Sequence, residues 1–254
     1  MEIFTHADTW VALLTLTFLE IILGIDNIIF ISIAANKLPE NQVKKATLLG
    51  LALAMITRIL LLFGVSYLIA LKEPFLKINT DWLNTGLTGQ SIILFLGGVF
   101  LIYKSTKEIR QKVENTNEDE VLKSPKVVSF TNIIIQIILI DIVFSFDSIL
   151  TAVGMTNGID GALIIMIIAV IVSILIMMLF ANPISSFVNK NPTIQMLALS
   201  FLILIGFMLI TEGAHLSHTE IFNKTVGAIP KGYLYFAIAF SLGVEMLNLK
   251  IRKK

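Results

Sequence analysis

Seven stretches of this chain are apolar enough and long enough to cross the hydrocarbon core of a bilayer, which takes ~30 Å at ~1.5 Å per residue of helix. They run roughly Trp10–Ala34, Ala46–Leu71, Thr85–Tyr103, Phe130–Val153, Gly161–Ala181, Ile194–Ile210 and Tyr233–Leu249. In lipid every backbone N–H and C=O must find a partner inside the protein, so runs of this kind become transmembrane helices. The expected fold is all-α, a single polytopic membrane domain over residues 1–254. Composition agrees, with 56% hydrophobic and 15% charged residues, a balance that excludes an ordinary soluble domain. The first apolar run lacks a basic flank and is too long for a cleavable signal, so it reads as a retained span. The chain has no cysteine, which removes disulfides and thiolate-held zinc or iron–sulfur centres.

Lysine and arginine set the orientation. With the N-terminus outside, 14 of them fall in cytoplasmic segments and 4 on the opposite side, while Arg58 stays inside the second span. That bias matches the positive-inside rule and gives an N-out, C-in topology. Residues 104–128 form the longest polar stretch and read as a cytoplasmic linker, helical near Lys104–Lys112 and loose around Glu114–Ser124.

Ionisable residues inside such spans are costly, at least ~2.5–3.5 kcal/mol each on insertion scales, and by default they mark function. Here they come as a repeated pair. The first span carries Glu20-Ile-Ile-Leu-Gly-Ile-Asp26-Asn27, and the fourth carries Asp141-Ile-Val-Phe-Ser-Phe-Asp147-Ser148. Gly98-Val-Phe-Leu-Ile and Gly206-Phe-Met-Leu-Ile correspond in spans three and six. Each half (residues 10–103 and 129–211) holds three spans, so the second half enters the membrane in the opposite sense. This predicts an inverted repeat with a substrate site near the midplane, and a seventh span over 231–249 as an addition.

At ~100° per residue, Glu20, Gly24 and Asn27 share one helix face, as do Asp141, Ser145 and Ser148. Asp26 and Asp147 point about 120° away. Breaks at Gly24 and Ser145 would let all four acids converge on one ion. Unbroken helices would instead offer two positions along a pathway.

Carboxylates, an amide and a hydroxyl make an all-oxygen donor set, which suits Mn²⁺, Mg²⁺ or Ca²⁺ better than Zn²⁺ or Cu⁺. Four crowded acids exceed the charge of one divalent ion, so proton exchange follows as a natural coupling. The bland alternative is a set of structural ion pairs, but Arg58 is the one basic residue within the spans and cannot neutralise four anions. An intramembrane aspartyl protease would carry Gly-x-Gly-Asp, whereas Leu-Gly-Ile and Phe-Ser-Phe precede the aspartates here. No enzymatic activity and no permanently bound cofactor are expected.

Lesser signals add little. Glu245 in the seventh span admits two readings, a structural residue paired with Arg58 or with the cytoplasmic end, and a further ligand. Glu212, His215 and His218 form a short exposed pattern of low specificity for metal. Asn182-Pro183 and Asn191-Pro192 read as helix terminators. The basic cluster at 250–254 is an interfacial anchor and gives no support for nucleic-acid binding.

Leu19-Glu-Ile-Ile-Leu-Gly-Ile-Asp-Asn27 and Asp141-Ile-Val-Phe-Ser-Phe-Asp-Ser148 resemble the signature motifs of the TerC family. The likeness extends through Ala198-Leu-Ser-Phe-Leu-Ile-Leu-Ile-Gly206 and Pro230-Lys-Gly-Tyr-Leu-Tyr-Phe236, nearest the YgdQ-like bacterial inner-membrane branch. The resemblance implies a seven-span protein of the LysE-type transporter superfamily, with manganese export and metal supply to exported proteins as roles of its members. Carried over by motif, Glu20, Asp26, Asn27, Asp141, Asp147 and Ser148 match its acidic and polar positions. The sequence reading is thus a multi-pass inner-membrane exporter of a divalent cation, Mn²⁺ foremost. Two other readings use the same acids: a membrane partner that delivers metal to exported proteins, and a carrier of another solute coupled to ions.

Overall fold

The computed structural model describes residues 5, 7–114, 129–156 and 158–252, apart from the side chains of Asp26, Ser66, Leu68, Ala70 and Arg252. Helices dominate: α1 (Ala7–Ala35), α2 (Glu40–Phe63), α3 (Val65–Ala70), α4 (Gly89–Glu114), α5 (Phe130–Met155), α6 (Ala162–Lys190), α7 (Pro192–Leu216) and α8 (Lys231–Arg252). Among the described residues six helices (α1, α2, α5, α6, α7 and α8) are long and apolar enough to cross a membrane. Helix α4, expected as span three, is not one of them, because its second half is charged from Lys104 onward. Four strands, β1 (Pro74–Asn79), β2 (Leu83–Thr88), β3 (Glu220–Ile221) and β4 (Lys224–Thr225), form a small antiparallel sheet that the all-α reading lacks.

The chain divides into two compact units that each draw on both halves of the sequence. The first comprises Met1–Ile69 and Val127–Lys190 and contains α1, α2, α5 and α6. Its core is largely apolar, yet it also buries charged side chains and leaves large apolar ones outside. Glu20, Asn27, Arg58, Asp141 and Asp147 are buried, while Phe18, Leu60 and Leu179 lie on the outside. Hydrocarbon is a natural surrounding for that outer face, and water is not.

Helix α6 runs beside α1 in the same direction. Gly24 faces Met177, and Asn36 pairs with Asn189 through their side-chain amides, both at a separation of 153 residues. Helix α2 turns back after the short segment at 36–39, and α5 lies along it in parallel, with Ile137 at Gly50 and Asp141 at Arg58. It follows that α1 and α5 are antiparallel.

Several sequence expectations are revised here. Gly24 and Ser145 do not break their helices, since α1 and α5 are continuous through both. Gly24 instead leaves room for the end of the Met177 side chain, which a Cβ there would meet at 2.0 Å and displace. Helix α6 continues through Pro183 to Lys190, so Asn182-Pro183 does not terminate it. Proline removes one helical hydrogen bond, and the packing of Ala181, Ser185 and Val188 on either side outweighs that loss. Asn191-Pro192 does mark a boundary, with Pro192 in the first turn of α7, where its missing N–H would be unpaired anyway. The expected second span stops at Phe63, and Gly64 separates it from the short α3.

The second unit comprises Ala70–Lys126 and Asn191–Lys254. Helix α4 packs antiparallel along α7, with Gly98 and Gly206 at their crossing. A Cβ on Gly98 would lie 2.5 Å from the Gly206 carbonyl oxygen, and one on Gly206 would lie 2.8 Å from that of Gly98. Two backbones approach this closely only where neither residue has a side chain. The sheet joins the start of α4 to the end of α7, through the pairing of Leu83 with Ile221. Residues 85–88, assigned above to a span, belong to its strand β2. Helix α8 packs on α7 and leaves Tyr233, Phe236, Phe240 and Met246 exposed, as an added helix in lipid would.

The helix expected near Lys104–Lys112 is present, since α4 extends to Glu114 with i,i+4 ion pairs at Lys104–Glu108 and Arg110–Glu114, but Ser105 and Glu108 on it are buried rather than solvated. Residues 115–128, and Lys253 and Lys254 of the C-terminal cluster, lie outside the described residues.

Candidate functional site

Three helices of the first unit bring their charges together. Arg58 on α2 donates through Nη1 to the Glu20 carboxylate on α1 at 2.5 Å and through Nη2 to Asp141 on α5 at 2.8 Å. All three are at least 95% buried. The two acids hold the guanidinium unequally. Asp141 also accepts from Ser145 Oγ at 3.0 Å, with Arg58 Nε and Thr57 Oγ1 each 3.5 Å away. Glu20 accepts the single Nη1 bond from Arg58. Ser145, one turn beyond Asp141 on the same face of α5, therefore orients a carboxylate and does not kink its helix.

The remaining expected site residues stand away from this centre. Asp147 and Ser148 are buried on α5, six and seven residues past Asp141, which is about 9–10 Å further along the helix. Asn27 is buried on α1, seven residues past Glu20 and about 10 Å along in its direction. Because α1 and α5 are antiparallel, Asn27 lies on one side of the Arg58 layer, and Asp147 with Ser148 lies on the other. Asp26 shares the Asn27 turn of α1 by backbone position, but its side chain lies outside the described residues.

These tiers differ in how well they are satisfied. Among the described residues, neither polar atom of the buried Asn27 side chain has a hydrogen-bond partner, a state that costs about 1–3 kcal/mol per group in a structural role. Ser148 Oγ donates back to the Ser145 carbonyl at 3.3 Å, and Thr151 Oγ1 donates to the Asp147 carbonyl at 3.0 Å. Among the described residues, no three acidic or histidine side chains are gathered as a ready-made metal shell. Of the six expected ligands, Glu20 and Asp141 are brought together, and they share an arginine.

Arg58 stands in the sequence as the one basic partner open to the acids, but which two of them it holds is not legible there. Its one signal was being the sole basic residue within the spans, and the acids it serves are the first member of each repeated pair. Thr57 carried no signal beyond being its neighbour. Glu245 has its hydrogen bond from Asn248 at 3.4 Å, and its Oε1 is buried without a partner. Arg58 is committed to Glu20 and Asp141. His215 and His218 cap the end of α7, where His218 N–H donates to the His215 carbonyl at 3.0 Å.

The chain is 45% identical over 250 residues to the inner membrane protein YgdQ of Escherichia coli K12, covering 98% of this chain and 96% of that one. It is 43% identical over 246 residues to a UPF0053 protein of Haemophilus influenzae, with 97% and 95% covered. Against the inner membrane protein YoaE of Escherichia coli K12 it is 40% identical over 253 residues, covering all of this chain and 45% of that longer one. No solved structure matches. The model of the TerC integral membrane protein family matches residues 5–253, and the chain belongs to that family.

Proposed function

We propose that this protein is a multi-pass inner-membrane carrier that exports a divalent cation, Mn²⁺ foremost, along a path lined by Glu20, Asp26, Asn27, Asp141, Asp147 and Ser148. The observation that carries the reading is that two buried acids from different helices, Glu20 and Asp141, meet on one buried guanidinium. Arg58 compensates for one of these two carboxylates, and Asp147 is buried further along α5. A bundle selected only for stability would favour leucine at such positions. The orphaned Asn27 amide supports it further, because a passing ion would give its carbonyl oxygen a partner. Oxygen donors favour hard cations.

With α1 and α5 unbroken, the six residues act as two tiers flanking a central layer. Asp26 and Asn27 serve the cytoplasmic side, and Asp147 and Ser148 serve the exterior. The pairing of helices supports the inverted repeat. Exchanging α1 with α5, α2 with α6 and α4 with α7 turns the α1–α6 contact into α5–α2 and returns the α4–α7 contact to itself. In this reading α4 is the seventh span, supported by its antiparallel seat along α7, and the sheet lies outside with the N-terminus. The protein acts as a carrier rather than an enzyme, within the YgdQ-like branch of the LysE-type superfamily, and protons are the natural counter-ion.

Metal-resolved elemental analysis of cells with and without the protein tests this reading. Cells lacking it should retain more manganese when challenged with the metal. Equal contents of every divalent metal under challenge would contradict the export of a divalent cation.

A further inference from the structure

Arg58 breaks the symmetry of the repeat. Helix α6, the counterpart of α2, carries no charged residue before Lys190, so one guanidinium serves the equivalent acids of both halves. It is anchored on the Asp141 side by contacts from both Nη2 and Nε, and that carboxylate is further held by Ser145 and Thr57. On the Glu20 side it makes one hydrogen bond to one oxygen. Glu also has one more rotatable bond than Asp, so Glu20 is the arm that swings away more easily.

The layer stands between the Asn27 tier and the Asp147 tier, and an ion moving from one to the other meets it. A cation there faces carboxylates that already have a cation. We propose that Arg58 is the resident counter-cation of the path: it holds Glu20 in the empty state, and the transported divalent ion passes the centre by taking Glu20 from the guanidinium while Asp141 retains it. This rests on the transport reading above and adds to it a specificity role for Arg58. A singly charged ion competes poorly for a carboxylate held by a guanidinium, whereas a divalent ion interacts twice as strongly at equal distance. The same contact closes the centre when no ion is present, which limits leakage of singly charged cations.

Binding of Mn²⁺ alone to the purified full chain in detergent, followed by the loss of the free-ion electron paramagnetic resonance signal, tests the proposal. Arg58→Gln should bind Mn²⁺ at least about tenfold tighter than the parent, since a competing charge is gone. Arg58→Lys, whose ammonium is a point charge and cannot fork between two carboxylates, should fall between them. Arg58→Gln with Glu20→Gln should lose the gain, because the released arm is missing. A purely structural arginine would leave affinity unchanged or lower it on removal, so the sign decides.

If Arg58→Gln does not purify as a folded protein, Arg58→Lys and the charge-balanced double variant carry the test. Parental affinity in folded Arg58 variants, with binding in the parent, would overturn the role of Arg58 and leave the transport reading standing. Binding in Arg58→Gln but not in the parent would support the arginine as the block. No Mn²⁺ binding in any folded protein would remove both.

Discussion

Two helix contacts of this molecule, one in each unit, are made in opposite ways. In the second, α4 and α7 meet through Gly98 and Gly206 at backbone contact, with no charge at the crossing. In the first, α1, α2 and α5 meet through Glu20, Arg58 and Asp141, with hardly any access to solvent. Close glycine packing gains dispersion energy and buries no charge. A buried ion triad must first offset desolvation of every member, and well-packed apolar residues often do as well or better. The glycine crossing is therefore explained by stability alone, and the triad is not. The difference separates scaffold from site without any appeal to a bound ligand.

The largest effect should come from unbalancing the triad. Arg58→Met leaves two carboxylates facing each other in an apolar bundle, and the loss of stability should be about 3–5 kcal/mol. Detergent-solubilised protein would show this as a fall in unfolding midpoint. Neutralising the acids as well, in Arg58→Met with Glu20→Gln and Asp141→Asn, should recover most of it. Full stability of the single variant would mean that the three groups do not depend on one another.

A smaller effect is expected at the glycine crossing. Gly98→Leu drives a side chain against the Gly206 carbonyl oxygen and should cost roughly 1–3 kcal/mol, the usual range for overpacking. Gly243→Ala on α8 is the matched control, because nothing lies within 4 Å of an added Cβ there. It should be neutral or slightly stabilising, by up to about 1 kcal/mol, from helix propensity. Equal responses at Gly98 and Gly243 would show that the close contact carries no weight.

Hydropathy marked the helices because lipid leaves a long apolar run one solution, and α1, α5 and α8 begin and end within a few residues of their apolar windows. It said less where polar chain takes part. The strands β1 to β4 are short; β1–β2 and β3–β4 are local hairpins, and only β2–β3 pairs distant loops, so hydropathy does not announce the sheet. The extension of α6 past Pro183 depends on packing by Ala181 and Val188, which a rule for proline cannot see. The acids were legible as a repeated spacing, yet the tiers were not. Whether Glu20 and Asp147 approach one ion depends on helix continuity and on the sense of α1 against α5, and both are tertiary facts. Arg58 was legible as the one basic partner within the spans, but which acids it holds was not. Its partners emerge when α2 is placed between the two acidic helices.

The central claim is that the buried acids carry a divalent ion rather than brace the bundle, and Asp147 isolates it best. Asp147 stands apart from the arginine layer along α5, and Asp147→Asn keeps its size while removing a charge that is costly to bury. The direct measurement is Mn²⁺ flux into liposomes containing purified protein, parent against Asp147→Asn, at matched incorporation and with the unfolding midpoint of each recorded. The expected result is flux in the parent and a loss of at least about tenfold in the variant, equivalent to 1.4 kcal/mol or more, with stability unchanged or raised. Undiminished flux in the variant, or loss of flux only in step with lost stability, would contradict the claim.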